Sequence, residues 1–238
     1  MRDARSIMPC IDLPSMKATL DLCVTHPAGT EARQAFYCGH QLLLVCRSNS
    51  PLQKSAVDGK VTTCFARTSP MSTYLYAIAV FNRMQSMYQS ADHKLHLPEL
   101  EVLYPEQMSA EKPVWIKAET IQASFANRSK LSFALSEISV RIPSTVYRLA
   151  LRFMSNFTGF DYPLKKLSLI ITSLPLNGVE NFGLINLNER WMAYPKYRMA
   201  HSILVNEIAH QWIGNLVTVK KWNEICLQVC YFKKNFLS

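Results

Sequence analysis

The sequence has no apolar run long enough to cross a bilayer, and it carries few charges for its length. The longest apolar stretch, residues 167–176, is about half of the roughly 20 residues that a membrane-spanning helix needs. Charged residues make up 18% of the 238 residues and hydrophobic residues 49%, without repeats or low-complexity segments. This composition is typical of a globular chain of one or two domains. We expect neither a transmembrane segment nor a secretory leader within it.

Cysteine is present, but it never forms a C-x-x-C pair. The absence of that spacing argues against a structural zinc site or a redox site of the thioredoxin type. We expect most of the seven cysteines to be buried and reduced; they stand at positions 10, 23, 38, 46, 64, 226 and 230.

The net charge of +9 would suit a nucleic acid or an anionic membrane surface. However, the basic residues are scattered, and the only adjacent lysine pairs stand at 165–166, 220–221 and 233–234. No helical stretch carries a basic stripe with interleaved aromatic residues, so we expect no nucleic-acid partner.

Hydrophobic patterning changes near residue 118. Before it, short runs of strand type alternate with turn residues and indicate antiparallel β structure: Thr19–Val24, Gln41–Arg47, Val61–Arg67, Tyr74–Phe81 and Val114–Lys117. We interpret the stretch between Phe81 and Val114 as a polar connection. Its His93 and His96 have the spacing of a possible metal pair, but we expect both to be exposed.

From Glu119 onward helical spacing dominates, and Pro143 divides this region into two helices. Residues 167–172 and 182–187 then predict two buried strands with a turn at Asn177-Gly178 between them. A further helix is predicted over Tyr197–Gly214.

That helix contains Asn206-Glu207-Ile208-Ala209-His210. Positions four apart share a helix face, so Asn206 and His210 should point the same way, with Glu207 beside them. This is the layout of H-E-x-x-H, in which two histidines bind zinc and the glutamate is the general base, but asparagine replaces the first histidine. On its own, the pattern also fits a solvated helix face or a core histidine.

Several segments, in order along the chain, give this pattern a context. Residues 4–14 (ARSIMPCIDLP) resemble A-R-x-x-F-P-C-x-D-x-P, and residues 63–75 contain TCFA and PMSTYL. Residues 177–184 (NGVENFGL) resemble G-A-M-E-N-W-G-L, and residues 210–217 (HQWIGNLV) resemble H-Q-W-F-G-N-L-V. Together they resemble the membrane alanyl aminopeptidase family, aminopeptidase N and its relatives, from the start of the chain to about Gln228.

The resemblance implies an α+β fold. Residues 1–118 would be a partial antiparallel β-sandwich N-terminal domain. Residues 119–228 would begin a thermolysin-like α/β catalytic domain, and residues 229–238 would be a tail unlike the family.

The resemblance also implies a zinc cofactor and hydrolysis of N-terminal residues from peptides. Glu207 takes the place of the general base and His210 that of one ligand, whereas Asn206 stands at a lost ligand position. The family's third ligand, a glutamate after eighteen intervening residues, falls on Val229. A single remaining ligand cannot hold catalytic zinc, so we predict that this chain is inactive and does not retain the metal.

In the family, the glutamate of G-A-M-E-N binds the free α-amino group of the peptide. Glu180 and Asn181 occupy the matching places, so peptides with a free N-terminus are the expected partners. Without the resemblance, a lone glutamate in such a loop would be solvent-facing. Sequons at Asn127 and Asn156 favour a surface-anchored ectoenzyme. The location stays open, however, since the family also includes cytosolic enzymes.

Three interpretations remain open. The chain is an aminopeptidase-family protein without activity, a non-enzymatic protein that binds peptide N-termini or partner proteins, or an incomplete product that does not fold stably. The tail after Gln228 is compatible with a translated intron or with a truncated gene product.

Overall fold

The structure, a computed structural model, describes residues 4–34, 53–106, 143–192 and 198–228. A short helix, α1 (Ala4–Ile7), comes first. Two strand pairs then bring distant segments together: β1 (Lys17–Ala18) pairs with β6 (Met71–Ser72), and β3 (Glu31–Gln34) pairs with β7 (Ile78–Phe81). Both pairs are antiparallel, as the alternation of short apolar runs predicts.

A three-stranded antiparallel sheet lies in the same part of the chain. Its central strand is β5 (Lys60–Cys64), flanked by β2 (Cys23–Pro27) and β4 (Gln53–Val57). Cys23 and Cys64 face each other across this sheet and form a disulfide bond. The expectation of buried, reduced cysteines is therefore wrong for this pair, since neither is buried and strand pairing brings together two residues 41 positions apart.

A mixed sheet of five strands positions the candidate site. Its spatial order is β11-β12-β10-β9-β8, and the strands are β8 (Met84–Gln89), β9 (Glu99–Pro105), β10 (Lys166–Thr172), β11 (Gly178–Val179) and β12 (Leu184–Asn188). β10 runs parallel to both neighbours, whereas β8 and β11 are antiparallel edge strands. Six of the seven residues of β10 are buried, as in strands covered on both faces.

β8 and β9 lie in the segment that the sequence analysis interprets as a polar connection, so that interpretation is wrong. The two glutamates of β9 hide its apolar character in the sequence. Glu101 is buried because Lys166 (2.8 Å) and Arg33 (3.3 Å) pair with its carboxylate. Burial acts to raise the pKa of Glu101, but these two cations outweigh it and the pKa lies below its usual value. His93 and His96 lie between the two strands and are exposed, as predicted.

Helices cover the sheet. α2 (Pro143–Thr158) begins at Pro143, where the sequence predicts a break. It buries positions three and four apart: Val146, Tyr147, Ala150, Leu151 and Met154. After α3 (Glu189–Met192), α4 (Arg198–His210) packs against α2 and buries Leu204, Ile208 and Ala209. No helix within the described ranges is both long enough and apolar enough to span a membrane.

The predicted α+β class, with antiparallel strands in the N-terminal region, is confirmed. α4 ends at His210, four residues before the predicted end. The backbone then turns, with Gly214 at φ 125° and the Asn215 N–H donating to the His210 carbonyl (3.1 Å). The predicted strands Gln41–Arg47 and Val114–Lys117, the boundary at residue 118 and the tail lie outside the described residues.

Candidate functional site

Motifs far apart in sequence meet beyond the end of α4. Trp222 donates from Nε1 to the Asp12 carbonyl (2.6 Å), and its ring contacts the ring of Tyr74 with centroids 5.2 Å apart. Tyr74 donates its hydroxyl to the carbonyl of Gly214. The turn at residues 9–14, the segment 70–75 and the stretch after His210 therefore form one structural unit.

The Glu180 loop joins the same unit. Asn181, 9% exposed, donates from Nδ2 to the carbonyls of Leu75 (3.3 Å) and Tyr76 (3.4 Å). Burial, followed by the charge of Glu180, raises the pKa of Tyr74 well above its usual value, so Tyr74 stays a neutral donor. The segments 9–14, 70–75 and 210–217 are thus linked by contacts to one another and to the motif that contains Glu180.

Asn206, Glu207 and His210 lie on the last turns of α4, as predicted. The Asn206 side chain does not project as a free ligand, since its Nδ2 donates to Oε1 of Glu207 (3.2 Å). His210 is 6% exposed, and its Nδ1 lies 3.0 Å from the Ile213 carbonyl. Because a carbonyl only accepts, Nδ1 carries the proton in this contact.

Glu207 is a buried carboxyl group, 6% exposed. Burial, then the charge of Glu180, raises its pKa to about 8, against a small opposing effect of the Asn206 hydrogen bond. Oε2 of Glu207 has no hydrogen-bond partner among the described residues. At neutral pH the group is therefore mostly a neutral acid.

Gly178 of β11 makes room for this carboxyl group. A Cβ atom at position 178 would lie 2.7 Å from both Cγ and Oε1 of Glu207, closer than real contacts allow. A side chain at this position and the present Glu207 conformation are therefore mutually exclusive. The candidate general base lies directly against the strand that leads into Glu180.

Catalytic zinc needs three strong protein donors and one open position. At the motif positions 206 and 210 of α4, the structure offers one imidazole and one amide that is already engaged. Across the described part of the chain, no three His, Cys, Asp or Glu side chains come together in an arrangement that could hold a metal ion. The described donors therefore do not fit a catalytic zinc site. Val229, the position that the sequence count assigns to the third ligand, lies outside those residues.

The Glu180 loop, in contrast, is held by side-chain amides. Gln211 donates from Nε2 to the Glu180 carbonyl (3.1 Å), and Asn215 donates from Nδ2 to the same oxygen (2.6 Å). Glu180 is 4% exposed, and its Oε1 has no partner within the described ranges. A buried acceptor oxygen without a donor carries a desolvation cost, so a hydrogen bond to it would be favourable.

Tyr74, Gln211 and Asn215 have no role that the sequence patterns predict, although all three stand in the matched motifs. Their contacts are made with backbone carbonyls of segments distant in sequence, which no local spacing reveals. The sequence offered one indication of a role, namely that these residues stand in segments that match the family pattern. A polar residue in such a segment that is neither a metal ligand nor the general base is a candidate for a structural hydrogen bond.

Two domain families match this chain, both from one class of peptidases. The Peptidase M1 N-terminal domain matches residues 1–75, and the Peptidase family M1 domain matches residues 145–231. The second match covers the Glu180 loop and α4, the elements that build the site. The chain belongs to the M1 family of peptidases.

Curated relatives extend this finding. Aminopeptidase A of Gloydius brevicauda is 30% identical over 235 residues, which are 94% of this chain and 20% of that protein. Glutamyl aminopeptidase of Homo sapiens and Aminopeptidase Q of Felis catus are each 28% identical, with the same coverage of 94% and 20%. The chain thus spans about one fifth of the length of these relatives.

Proposed function

We propose that this chain is a catalytically inactive member of the M1 family that binds the free N-termini of peptides through Glu180. Removal of N-terminal residues, the reaction that the relatives' names describe, is not expected of it. The observation that carries the proposal is the contrast between a held amine-binding loop and a helix that presents Asn206 where a metal ligand is needed.

A carboxylate suits an ammonium group because the pair combines opposite charge with hydrogen bonding. Burial strengthens this interaction, since water competes less in a low-dielectric site. Glu180 is buried and has an oxygen to which no described residue donates, so a terminal ammonium would supply the missing donor. An acetylated terminus lacks the charge, which makes the site selective for free termini.

Glu207 has no catalytic task in this proposal and is a vestigial general base. A base must be ionised and must have a nucleophile to deprotonate. With a pKa of about 8, most of Glu207 is protonated at neutral pH, and Asn206 occupies its other oxygen. His210 is then a vestigial single ligand, and we expect zinc not to be retained.

Calorimetric titration with trialanine and with N-acetyl-trialanine tests the binding function. We expect the free peptide to bind at least about tenfold more tightly, and Glu180→Gln to remove that difference, since a charge-assisted hydrogen bond is typically worth about 1.5–3 kcal/mol. Glu189→Gln, on α3, is the matched control and should leave the difference unchanged. Equal affinity of the wild type for both peptides would exclude amine recognition.

An active enzyme is the main alternative, favoured by the family alone. A chromogenic aminoacyl substrate and metal analysis of the purified protein address it. If the wild type contains one zinc ion per chain and cleaves the substrate, and Glu207→Gln does not cleave it, the chain is an active enzyme and the proposed inactivity is wrong. A chain that fails to unfold cooperatively on heating would instead support an incomplete product.

A further inference from the structure

The loop that carries Glu180 is short and is fastened at both of its ends. Only residues 180–183 separate β11 from β12, so a small change in the backbone here redirects the Glu180 side chain. Glu180 itself contributes its carbonyl, rather than its carboxylate, to the contacts that hold the loop. A substitution can therefore remove the contacts that orient Glu180 without changing its carboxylate.

Gln211 bridges the loop from end to end. Its Oε1 accepts from the Gly183 N–H (3.0 Å), and its Nε2 donates to the carbonyls of Glu180 (3.1 Å) and Asn181 (3.4 Å). The side chain is 0% exposed, so water does not compete for these bonds. One amide therefore fixes the distance between the first and last residues of the loop.

Asn215 supplies the second hold on the same oxygen. Its Nδ2 lies 2.6 Å from the Glu180 carbonyl, and the side chain is 1% exposed. Two donors arriving at one carbonyl, from residues 211 and 215, restrict rotation of the peptide plane after Glu180 more than either does alone. That plane determines where the Cα–Cβ bond of Glu180 points.

We infer that Gln211 and Asn215 are positioning residues that aim the Glu180 carboxylate and thereby determine the selectivity for a free N-terminus. The inference rests on the proposed function, because it concerns how that site discriminates. Neither amide touches the ligand in this account. Binding sites require side chains held to within about half an ångström, which two bonds to a backbone carbonyl provide.

The test compares selectivity rather than stability. Asn215→Ala removes one donor from the Glu180 carbonyl and leaves the Gln211 bridge intact. Gln211→Met keeps the length of the side chain and removes the bridge. Tyr162→Phe is the matched control, because its hydroxyl donates to Gln211 Oε1 (3.4 Å) and, among the described residues, to no residue of the Glu180 loop.

For each folded variant, calorimetry gives the ratio of the affinities for trialanine and N-acetyl-trialanine. We expect the ratio to fall about threefold in Asn215→Ala, to approach one in Gln211→Met, and to stay at the wild-type value in Tyr162→Phe. A purely structural role would lower the melting temperature and leave the ratio unchanged, and that result in Asn215→Ala overturns the inference.

Three other outcomes are also decisive. If Gln211→Met does not fold, Asn215→Ala alone decides, because among the described residues the Asn215 side chain donates only to the Glu180 carbonyl. If the wild type binds both peptides equally, the proposed function fails and this inference fails with it. If the wild type and both variants prefer the free peptide to the same degree, the inference is wrong and the proposed function stands.

Discussion

The two halves of the candidate site hold their carboxyl groups in opposite ways. Glu180 sits on a loop fixed by Gln211 and Asn215 at one carbonyl, and by Asn181 through the carbonyls of residues 75 and 76. Glu207 receives one side-chain hydrogen bond among the described residues, from its neighbour Asn206, and lies against a glycine.

We call Glu180 with its loop the binding half, and Asn206, Glu207 and His210 the catalytic half. The difference teaches that the contacts of one half can be kept in a fold without those of the other. The contacts of the Glu180 loop are made by amides and backbone, so they do not depend on a metal. Glu207 is a buried acid with a raised pKa, and in the proposed function it has no bound metal beside it. Four changes, ordered by the size of the expected effect, sharpen or break this comparison.

Restoring the two missing metal ligands should have the largest effect, which is on zinc affinity. Asn206→His together with Val229→Glu supplies the family's ligand types at the positions that the sequence count assigns to them. Since even an outer-shell partner contributes about 10–100-fold to metal affinity, we expect two restored direct ligands together to raise zinc affinity more than about 10,000-fold over the wild type.

Competition with a fluorescent chelator measures that affinity. Asn206→Gln with Val229→Gln is the control, since it alters the same positions without adding strong ligands. Equal zinc affinity in the wild type and the double variant would show that the two halves have not diverged in the way described.

Neutralising Glu207 should change the pH dependence of stability. Its pKa is about 8 in the folded chain and about 4.3 in an unfolded one, so the folded state binds the extra proton. The stability that this proton provides is full below about pH 4 and is lost as the pH rises to 8 and beyond. Relative to Glu207→Gln, the wild type should therefore lose roughly 3–5 kcal/mol between pH 4 and pH 9.

Urea unfolding at a series of pH values, with a chelator present, gives this profile. Glu106→Gln, at an exposed glutamate, is the control and should follow the wild-type curve. If the free energy of unfolding changes with pH in the same way in the wild type and in Glu207→Gln, the claim that Glu207 is a buried acid with a raised pKa is wrong.

A methyl group at position 178 should disturb the catalytic half. Gly178→Ala places Cβ 2.7 Å from Oε1 of Glu207, so one of the two must move. Overpacking of this kind costs about 1–3 kcal/mol, and Gly178→Ala with Glu207→Ala should recover most of it. A double-mutant cycle in denaturant measures the coupling; strictly additive effects would show that the contact is not formed.

Removing the Asn206 amide should have the smallest effect. Asn206→Ala deletes the hydrogen bond of 3.2 Å to Glu207, and a single bond of this kind is worth about 1 kcal/mol. Chemical denaturation measures the loss, and Asn223→Ala, at an exposed asparagine, should stay within about 0.5 kcal/mol of the wild type. A loss of more than about 3 kcal/mol in the free energy of unfolding would mean that Asn206 stabilises the fold through contacts other than its bond to Glu207.

Sequence patterning predicted the parts of the fold whose signals are local. β10 reads as a continuous apolar run and α2 starts at a proline, so both were found. β9 was missed because its glutamates interrupt the run, and the cations that neutralise Glu101 come from β3 and β10. The Cys23–Cys64 bond was missed because register, rather than spacing, brings the two residues together.

The candidate site was predictable to the same limit. Glu180, Asn181, Asn206, Glu207 and His210 were identified by their place in motifs, and the structure sets Glu180 and Glu207 close enough for their charges to interact. The roles of Gln211 and Asn215 depend on which carbonyl each side chain reaches. That information lies in the turn after α4, which local spacing does not encode.

The most direct test of the account is the zinc content of the purified chain after equilibration with micromolar zinc and removal of unbound metal. The account predicts far less than one ion per chain, and no change in that value when His210 is replaced by alanine. One tightly bound ion per chain that disappears in His210→Ala would contradict the claim that the catalytic half no longer holds a metal.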